Sequence, residues 1–225
     1  MIENIDFTKH LELAIDNSNK KISQLNKYLL SIHDKCGCMS SHKVRHLLNN
    51  VCNFEGCNYL EIGIHEGSTF CSAIFNNNLM ATSIDWWRKW GKPGQESRNR
   101  FFENLSKFIK KETKETYKNI RIIDDDCFQF NFRQLKNINV FFYDGDHSED
   151  SQYKAFSYYH PILSDKFIFI VDDWNDSKIK LGTSAAFSDL KYKVERFWEL
   201  PGQFGNWTAD SDYYWNGIFI GVINK

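Results

Sequence analysis

Hydrophobic positions in the first 55 residues follow a helical period. Apolar side chains and one serine recur in alternating steps of four and three residues, at Leu11, Ile15, Ser18, Ile22, Leu25, Leu29 and Ile32. This spacing predicts an amphipathic helix that either packs over the core or forms a dimerising arm. Gly37 interrupts the pattern, and residues 44–51 predict a second short helix. We therefore expect an amino-terminal helical extension over residues 1–55.

From residue 56 onward, short apolar runs alternate with segments of helical length. Strands are predicted at residues 59–62, 79–84, 120–123, 138–143, 166–171, 192–200 and 213–223, and helices at 67–74, 96–111 and 148–163. Strands joined by helix-length connections imply βαβ units and a mostly parallel sheet. The link between the last two strands holds Pro201, Gly202 and Gly205 but no helical pattern, so the last strand is predicted to be antiparallel. Residues 56–225 should form one doubly wound α/β domain with seven strands.

Composition and charge narrow the range of partners and compartments. The 225 residues carry 28 Lys and Arg against 29 Asp and Glu, a net charge of −1, which argues against a nucleic-acid partner. No apolar stretch reaches the ~18 residues of a membrane helix. The amino terminus lacks a secretory pattern, and six cysteines are too few for a disulfide framework. We expect a cytoplasmic protein without a membrane partner.

Acidic residues collect where the predicted strands end, which is where open α/β sheets bind ligands. Seven acids lie at or just before these ends: Glu61, Asp85, Asp126, Asp144, Asp146, Asp172 and Asp173. The last four follow two strongly apolar strands, where an unpaired charge is costly. Clustered oxygen donors without a nearby cysteine suit Mg²⁺, Mn²⁺ or Ca²⁺ better than zinc. The sequence thus predicts a cation site, with solvated strand ends as the alternative.

A glycine loop follows the first predicted strand. Gly63 and Gly67 have the spacing G-x-x-x-G between a strand and a helix, where glycine lets the backbone approach a ligand closely. The alternative is a tight strand–helix turn without a ligand. Dinucleotide-binding folds use G-x-G-x-x-G instead, so the spacing argues against a nicotinamide-dependent oxidoreductase.

The order and spacing of these motifs resemble a known family. Along the chain the motifs follow in the order Glu61-x-Gly63-x-x-x-Gly67, Asp85, Asp126, Asp144-Gly-Asp-His147 and Asp172-Asp173. In this succession the chain is similar to class I S-adenosylmethionine-dependent methyltransferases. Among them it most resembles the metal-dependent sugar O-methyltransferases of the macrocin type. The resemblance covers residues 56–225 and implies a Rossmann-like fold. It also implies methyl transfer to a hydroxyl of a sugar, nucleotide-sugar or similar small polyhydroxy acceptor.

The same resemblance implies where S-adenosylmethionine would bind. Its methionine part would lie against Glu61, Gly63, Gly67 and Ser68. Asp85 would hold the ribose hydroxyls, because a carboxylate accepts from two hydroxyls. Asp126 and Cys127 would border the adenine, and Asp144 would also lie beside the cofactor.

Metal and base are implied in the same way. Asp144, Asp172 and Asp173 would bind a divalent ion, with Mg²⁺ expected, and Asp146 would be the general base. By its own chemistry, His147 is a candidate base or a partner of the acid beside it, with an ordinary polar turn residue as the alternative. Such an ion stabilises the alkoxide that forms as the acceptor oxygen attacks.

Other interpretations stay open at this point. The chain could be a metal-independent methyltransferase with Asp146 or His147 as sole base, or a non-catalytic partner subunit, and a homodimer is possible in either case. Residues 86–95, with Trp86, Trp87 and Trp90, form either a mobile lid or a loop packed on the sheet edge. A zinc site lacks any C-x-x-C pair, so its candidate ligands are better explained as ordinary buried or polar groups: Cys36, Cys38, Cys52, Cys57, His33, His42 and His46.

Overall fold

The structure is a computed structural model that describes residues 5–27, 39–109, 119–203 and 208–225. Several residues named above lie outside these ranges: Leu29, Ile32, His33, Cys36, Gly37, Cys38 and Gly205. The helices of the described chain are α1 (Phe7–Asn19), α2 (His42–Val51), α3 (Ser68–Ile74), α4 (Gly91–Ile109), α5 (Glu149–Tyr159) and α6 (Ser177–Asp189). The strands are β1 (Asn58–Ile62), β2 (Met80–Asp85), β3 (Ile120–Asp124), β4 (Ile138–Tyr143), β5 (Leu163–Val171), β6 (Lys193–Leu200) and β7 (Ile218–Asn224).

The strands form one sheet in the order β3-β2-β1-β4-β5-β7-β6. All neighbouring pairs are parallel except those of β7, which runs antiparallel to both β5 and β6. The predicted Rossmann-like, doubly wound sheet with an antiparallel last strand is therefore confirmed. In the register, Ile62 pairs with Ile84 and with Tyr143, which in turn pairs with Val171. The carboxyl ends of β2, β1, β4 and β5 consequently lie level with one another.

Two apolar layers enclose the sheet, one on each face. One layer combines α1, α2, α3 and part of α4 with inward side chains of the strands, and includes Leu11, Leu47, Phe70 and Phe101. The other layer lies under α5 and α6 and includes Phe156 and Ile179. Burial on both faces explains why β4 and β5 read as nearly continuous apolar runs.

The amino-terminal helix is shorter than its heptad-like pattern predicts. Asp6 caps α1 by accepting from the amides of Thr8 and Lys9, and the helix ends at Asn19 before Lys21 adopts a φ of +54°. Ile22 falls after this turn and is 48% exposed, so a single continuous helix through residue 22 is wrong. Ser18, the polar gap in the pattern, is fully buried against Tyr214. Within the described residues, α1 packs over the core.

Residues 86–95 are ordered differently from the predicted loop. A 3₁₀ turn spans Trp87–Trp90, and α4 begins directly at Gly91, so the prediction of a helix starting at residue 96 is wrong. Pro93 fits the first helical turn because no amide donor is needed there. Trp87 is 2% exposed, and its indole N–H donates to the carbonyl of His65 at 2.8 Å.

No helix in the described part of the chain combines the length and the apolar character that crossing a bilayer requires.

Candidate functional site

A cavity of about 720 Å³ opens at the level carboxyl ends of the central strands. It is lined by ten of the twelve residues singled out from the sequence: Gly63, Ser68, Asp85, Asp126, Cys127, Asp144, Asp146, His147, Asp172 and Asp173. Glu61 and Gly67 do not line it. The volume lies in the range of small-molecule and cofactor sites. Parallel strands thus bring together acids as far apart in the chain as Asp85 and Asp173.

The glycine loop after β1 forms one wall. Gly63 has a φ of +86°, and a Cβ at this position would meet the backbone oxygen of Asp144 at 1.8 Å. Asp85 ties the loop to β2, because its Oδ2 accepts from the amides of Ile64 at 2.7 Å and His65 at 2.8 Å. Burial raises the pKa of Asp85, and these two amides oppose that rise. The loop is therefore fixed from both neighbouring strands.

Glu61 lies behind this wall and is fully buried. Its carboxyl oxygens each accept a hydroxyl, from Tyr59 at 2.5 Å and from Thr69 at 2.5 Å. Burial raises the pKa of Glu61 to about 8, with the two hydroxyls acting in the opposite direction. Gly67, with a φ of +88°, begins α3, and a Cβ there would meet the ring of Phe101 at 2.5 Å. Both residues shape the loop from outside the cavity.

Glu61→Gln should reduce the dependence of stability on pH. A carboxyl whose pKa is higher in the folded than in the unfolded protein favours folding at low pH, and this contribution is lost as the pH rises from about 4.5 to about 8. Urea unfolding at pH 5 and pH 8.5 should show a loss on the order of a few kcal/mol in the wild type and a smaller loss in the variant. Equal losses in the two proteins would contradict the raised pKa.

The far end of the cavity follows β3. The carboxylate of Asp126 accepts from the amide of Phe128 at 2.9 Å and from the side chain of Gln129 at 3.2 Å. The carbonyl of Cys127 accepts from the Tyr159 hydroxyl at 2.5 Å. Burial raises the pKa of the Cys127 thiol to about 12, so this thiol stays protonated and unreactive near neutral pH. The turn is held by local hydrogen bonds and leaves both residues in the cavity wall.

Three polar side chains converge after the ends of β4 and β5. One ligand atom from each of Asp144, His147 and Asp173 lies within 4.8 Å of the others, and no further group of this kind occurs in the described ranges. Asp173 has a φ of +54°, and its Oδ2 lies 2.8 Å from Nε2 of His147. Its Oδ1 accepts from the Asn216 side chain at 2.5 Å. The left-handed turn at Asp173 is what aims this carboxylate inward.

The set that converges differs from the predicted metal ligands. Asp172 lines the cavity, but its Oδ1 accepts from the amide of Asp173 at 2.9 Å and it is not a member of the three-residue group. His147 takes its place. The donor set of two carboxylates and one imidazole fits a divalent ion, with Mn²⁺, Fe²⁺ or Zn²⁺ as suitable as Mg²⁺.

Electrostatics at this group also suit a cation. Burial raises the pKa of Asp144 well above its usual value, and the neighbouring carboxylates of Asp172 and Asp173 raise it further. Burial opposes the charge of Asp173 too, but hydrogen bonds from His147 and Asn216 keep its pKa below the usual value. The bond to Asp173 in turn raises the pKa of His147. A divalent ion would relieve the repulsion among these carboxylates.

Asp146 occupies a different environment from the one expected of a general base. It is exposed, and its Oδ1 accepts from the amide of Ser148 at 3.0 Å. This bonding to Ser148 lowers the pKa of Asp146, which makes its carboxylate a weaker proton acceptor. His147, paired with Asp173, is the stronger proton acceptor of the two.

The rim of the cavity is apolar and aromatic. Three of the large apolar side chains exposed on the described surface line it: Met39 (57%), Trp86 (37%) and Trp90 (64%). Lys89 Nζ lies 5.7 Å from the ring centre of Trp86 and 5.3 Å from that of Trp90. Sequence reasoning missed Met39 and Asn216, which line the cavity from segments distant in the chain, and no local motif marks them. Trp215 also lines the cavity; the sequence shows it only as one of several late aromatic residues, for which core packing is the first interpretation.

Comparisons with known proteins identify the family of the chain. Residues 60–174, just over half of the chain, match the model of a family described as a methyltransferase domain. No curated protein sequence matches the chain significantly.

Solved structures share the fold at low sequence identity. A candidate caffeoyl-CoA O-methyltransferase from Staphylococcus aureus is 14% identical with a TM-score of 0.58, and the alignment covers 96% of this chain and 100% of that one. The SAH-bound methyltransferase PaMTH1 from Podospora anserina is 12% identical, with a TM-score of 0.52 and coverages of 96% and 87%. A candidate SAM-dependent methyltransferase from Streptococcus mutans is 17% identical, with a TM-score of 0.56 and coverages of 81% and 48%. This chain thus spans about half the length of the last of these.

Proposed function

The chain belongs to the methyltransferase-domain family, and on that premise we propose that it transfers a methyl group from S-adenosylmethionine to a hydroxyl of a small acceptor, a carbohydrate or similar polyhydroxy compound. The observation that carries this proposal is one cavity that combines two chemically different groups of residues. The first is the glycine loop with Asp85, and the second is the Asp144–His147–Asp173 group.

The residues around the glycine loop and Asp85 suit the chemical groups of S-adenosylmethionine. Gly63 brings the backbone close to the cavity, and Ser68 at the start of α3 lies beside it, which suits the methionine part. Asp85 keeps one carboxyl oxygen free of the two amide bonds described above and is placed to accept from the ribose diol. Asp126 and Cys127 border the space left for the adenine. The surrounding carboxylates favour a sulfonium cation over a neutral ligand.

Asp144, His147 and Asp173 would hold a divalent ion, with Asp172 behind them. When bound, such an ion stabilises negative charge developing on the acceptor oxygen and orients that oxygen. The remaining catalytic task falls to the residues of the chain itself. They would align the acceptor oxygen with the methyl carbon and sulfur.

A second candidate mechanism needs no metal, and the His147–Asp173 pair favours it. Asp173 accepts from His147 at 2.8 Å and is itself held by Asn216, an arrangement that orients an imidazole for proton transfer. His147 would then take the proton of the acceptor hydroxyl at the imidazole nitrogen that Asp173 leaves open. Asp146, exposed and with a lowered pKa, is the weaker candidate base.

Calorimetry with S-adenosylmethionine and S-adenosylhomocysteine tests the cofactor. Both should bind in the micromolar range that is common for such ligands, on the order of −8 kcal/mol. Asp85→Ala should weaken both by at least about tenfold, since it removes the ribose acceptor and releases the loop amides. Asp16→Ala is the control, because that acid lies on the exposed face of α1, where it pairs with Lys20. Absence of binding by the wild type would contradict the proposed function.

A further inference from the structure

We propose that the turn at residues 214–217 is the acceptor-recognition element of the cavity, and that the amino-terminal helices hold this turn in position through Tyr214. Trp215 is then a specificity-determining residue and Tyr214 a positioning residue. The inference rests on the proposed function, because it assigns the acceptor of the same reaction.

Backbone strain marks the turn. Trp215 has a φ of +50° and Gly217 a φ of +96°. A bulky side chain in the left-handed region is uncommon and persists only where surrounding contacts hold it. Here the Trp215 carbonyl accepts from the amide of Gln203 at 2.7 Å, and the Asn216 carbonyl accepts from the amide of Asn175 at 3.1 Å. His65 and Asp173 are the other non-glycine residues with a positive φ that line the cavity.

The turn places two different groups in the cavity. Trp215 is half-buried, packs against the apolar core and also lines the cavity, so its indole is a rigid wall. Asn216 lines the cavity next to it and donates to Asp173. A flat apolar face beside the polar group of the site suits a ring that stacks on the indole and presents a hydroxyl to His147 and Asp173.

Tyr214 connects this turn to the amino-terminal helix. It is 1% exposed, and its hydroxyl lies 2.6 Å from Ser18 Oγ and donates to Asn19 Oδ1 at 3.0 Å. The segment before it is held from the same side, since the amide of His42 donates to the carbonyl of Ala209 at 2.7 Å. The end of α1 and the start of α2 therefore hold the segment that carries Trp215. This makes the amino-terminal extension part of the site.

The charge of the cavity selects among ring compounds. Seven carboxylic acids line it: Glu66, Asp85, Asp126, Asp144, Asp146, Asp172 and Asp173. Lys89 is the single lysine or arginine among the lining residues of the described chain. A phosphate entering this cavity would find Lys89 as its one cationic partner among these lining residues, so a phosphate-bearing ring would be disfavoured. The favoured acceptor within the polyhydroxy class is therefore an uncharged hydroxylated ring.

The test uses the whole chain, labelled S-adenosylmethionine, a panel of methyl glycosides and the phosphorylated counterparts of the same sugars. Calorimetry with S-adenosylhomocysteine is run on every variant. Transfer to at least one uncharged member is expected, at a kcat/KM at least about tenfold above that of its phosphorylated counterpart.

Four variants separate recognition from folding. Trp215→Ala should raise the acceptor KM by about tenfold or more with S-adenosylhomocysteine affinity within about twofold, and Trp215→Phe should restore most of the loss. Tyr214→Phe should raise KM less and should speed hydrogen exchange of the amides in residues 208–217. Tyr192→Phe is the matched control, because it removes a tyrosine hydroxyl from His160, away from the cavity.

Each result decides something. An unchanged KM in Trp215→Ala, preference for the phosphorylated rings, or binding of S-adenosylhomocysteine without transfer to any uncharged ring would overturn the assignment. Faster exchange in Tyr192→Phe than in Tyr214→Phe over residues 208–217 would overturn the role of Tyr214. A wild-type chain that binds no S-adenosylhomocysteine would contradict the proposed function instead.

Discussion

Gly63→Ala is expected to abolish binding of S-adenosylhomocysteine and to lower the stability of the protein. The added Cβ would lie 1.8 Å from the backbone oxygen of Asp144. Because the clash is with the backbone, no side-chain rotation can relieve it. The φ of +86° adds about 1–2 kcal/mol of strain for a residue with a Cβ. To relieve the clash, the glycine loop must move away from the end of β4. This movement should also break the hydrogen bonds that the amides of Ile64 and His65 donate to Asp85. Calorimetry and urea unfolding measure the two effects, and the unfolding free energy should fall by roughly 2–4 kcal/mol.

Gly91→Ala is the matched control for this variant. Gly91 also has a positive φ, +58°, but a Cβ there would meet nothing within 4 Å. Its replacement should lower the unfolding free energy by backbone strain alone, about 1–3 kcal/mol at a φ of +58° and a ψ of −131°, and should leave cofactor affinity within about twofold. If Gly63→Ala binds as tightly as Gly91→Ala, close contact between the glycine loop and β4 does not shape the cofactor site.

Asp173→Asn should lower the rate of methyl transfer by a factor on the order of 10²–10³, with cofactor affinity nearly unchanged. The substitution keeps the shape of the side chain but removes the charge that holds His147 at 2.8 Å and accepts from Asn216. Both candidate mechanisms depend on that charge, as a metal ligand or as the partner of the base. Initial rates with labelled cofactor, together with calorimetry, measure the effect.

Asp176→Asn is the control for Asp173, since Asp176 lies three residues on and caps α6 by accepting from the amide of Lys178. Asparagine caps helices equally well, so turnover should be retained.

Excess chelator then separates the two mechanisms in the wild type. Lost turnover that Mg²⁺ or Mn²⁺ restores supports a bound ion, whereas full turnover in chelator leaves the His147–Asp173 pair as the catalytic group. A rate in Asp173→Asn within about threefold of the wild type would contradict both.

Local pattern and resemblance together predicted most of the sheet and ten of the residues that line the cavity. Strand β4 was predicted with the bounds that the structure has, because a six-residue run in which all but Asn139 are apolar lies between polar segments. Helix α1 was predicted too long, because the period of apolar positions continues through a turn that depends on Lys21 adopting a positive φ. Helix α4 was predicted too short, because Gly91, Pro93 and Gly94 usually mark a loop and here occupy a first helical turn.

By itself, the sequence determined the doubly wound sheet, its antiparallel last strand and the acids at its carboxyl edge. These follow from the period of apolar residues and from where each run stops, which are local properties. Only the tertiary structure decided that Glu61 stands behind the wall, that His147 joins Asp144 and Asp173, and that Trp215 and Asn216 complete the cavity. Those placements depend on the left-handed turns at Asp173 and Trp215 and on the contact between Ser18 and Tyr214. These conformations are stabilised by packing between segments that are distant in the chain, which no local pattern records.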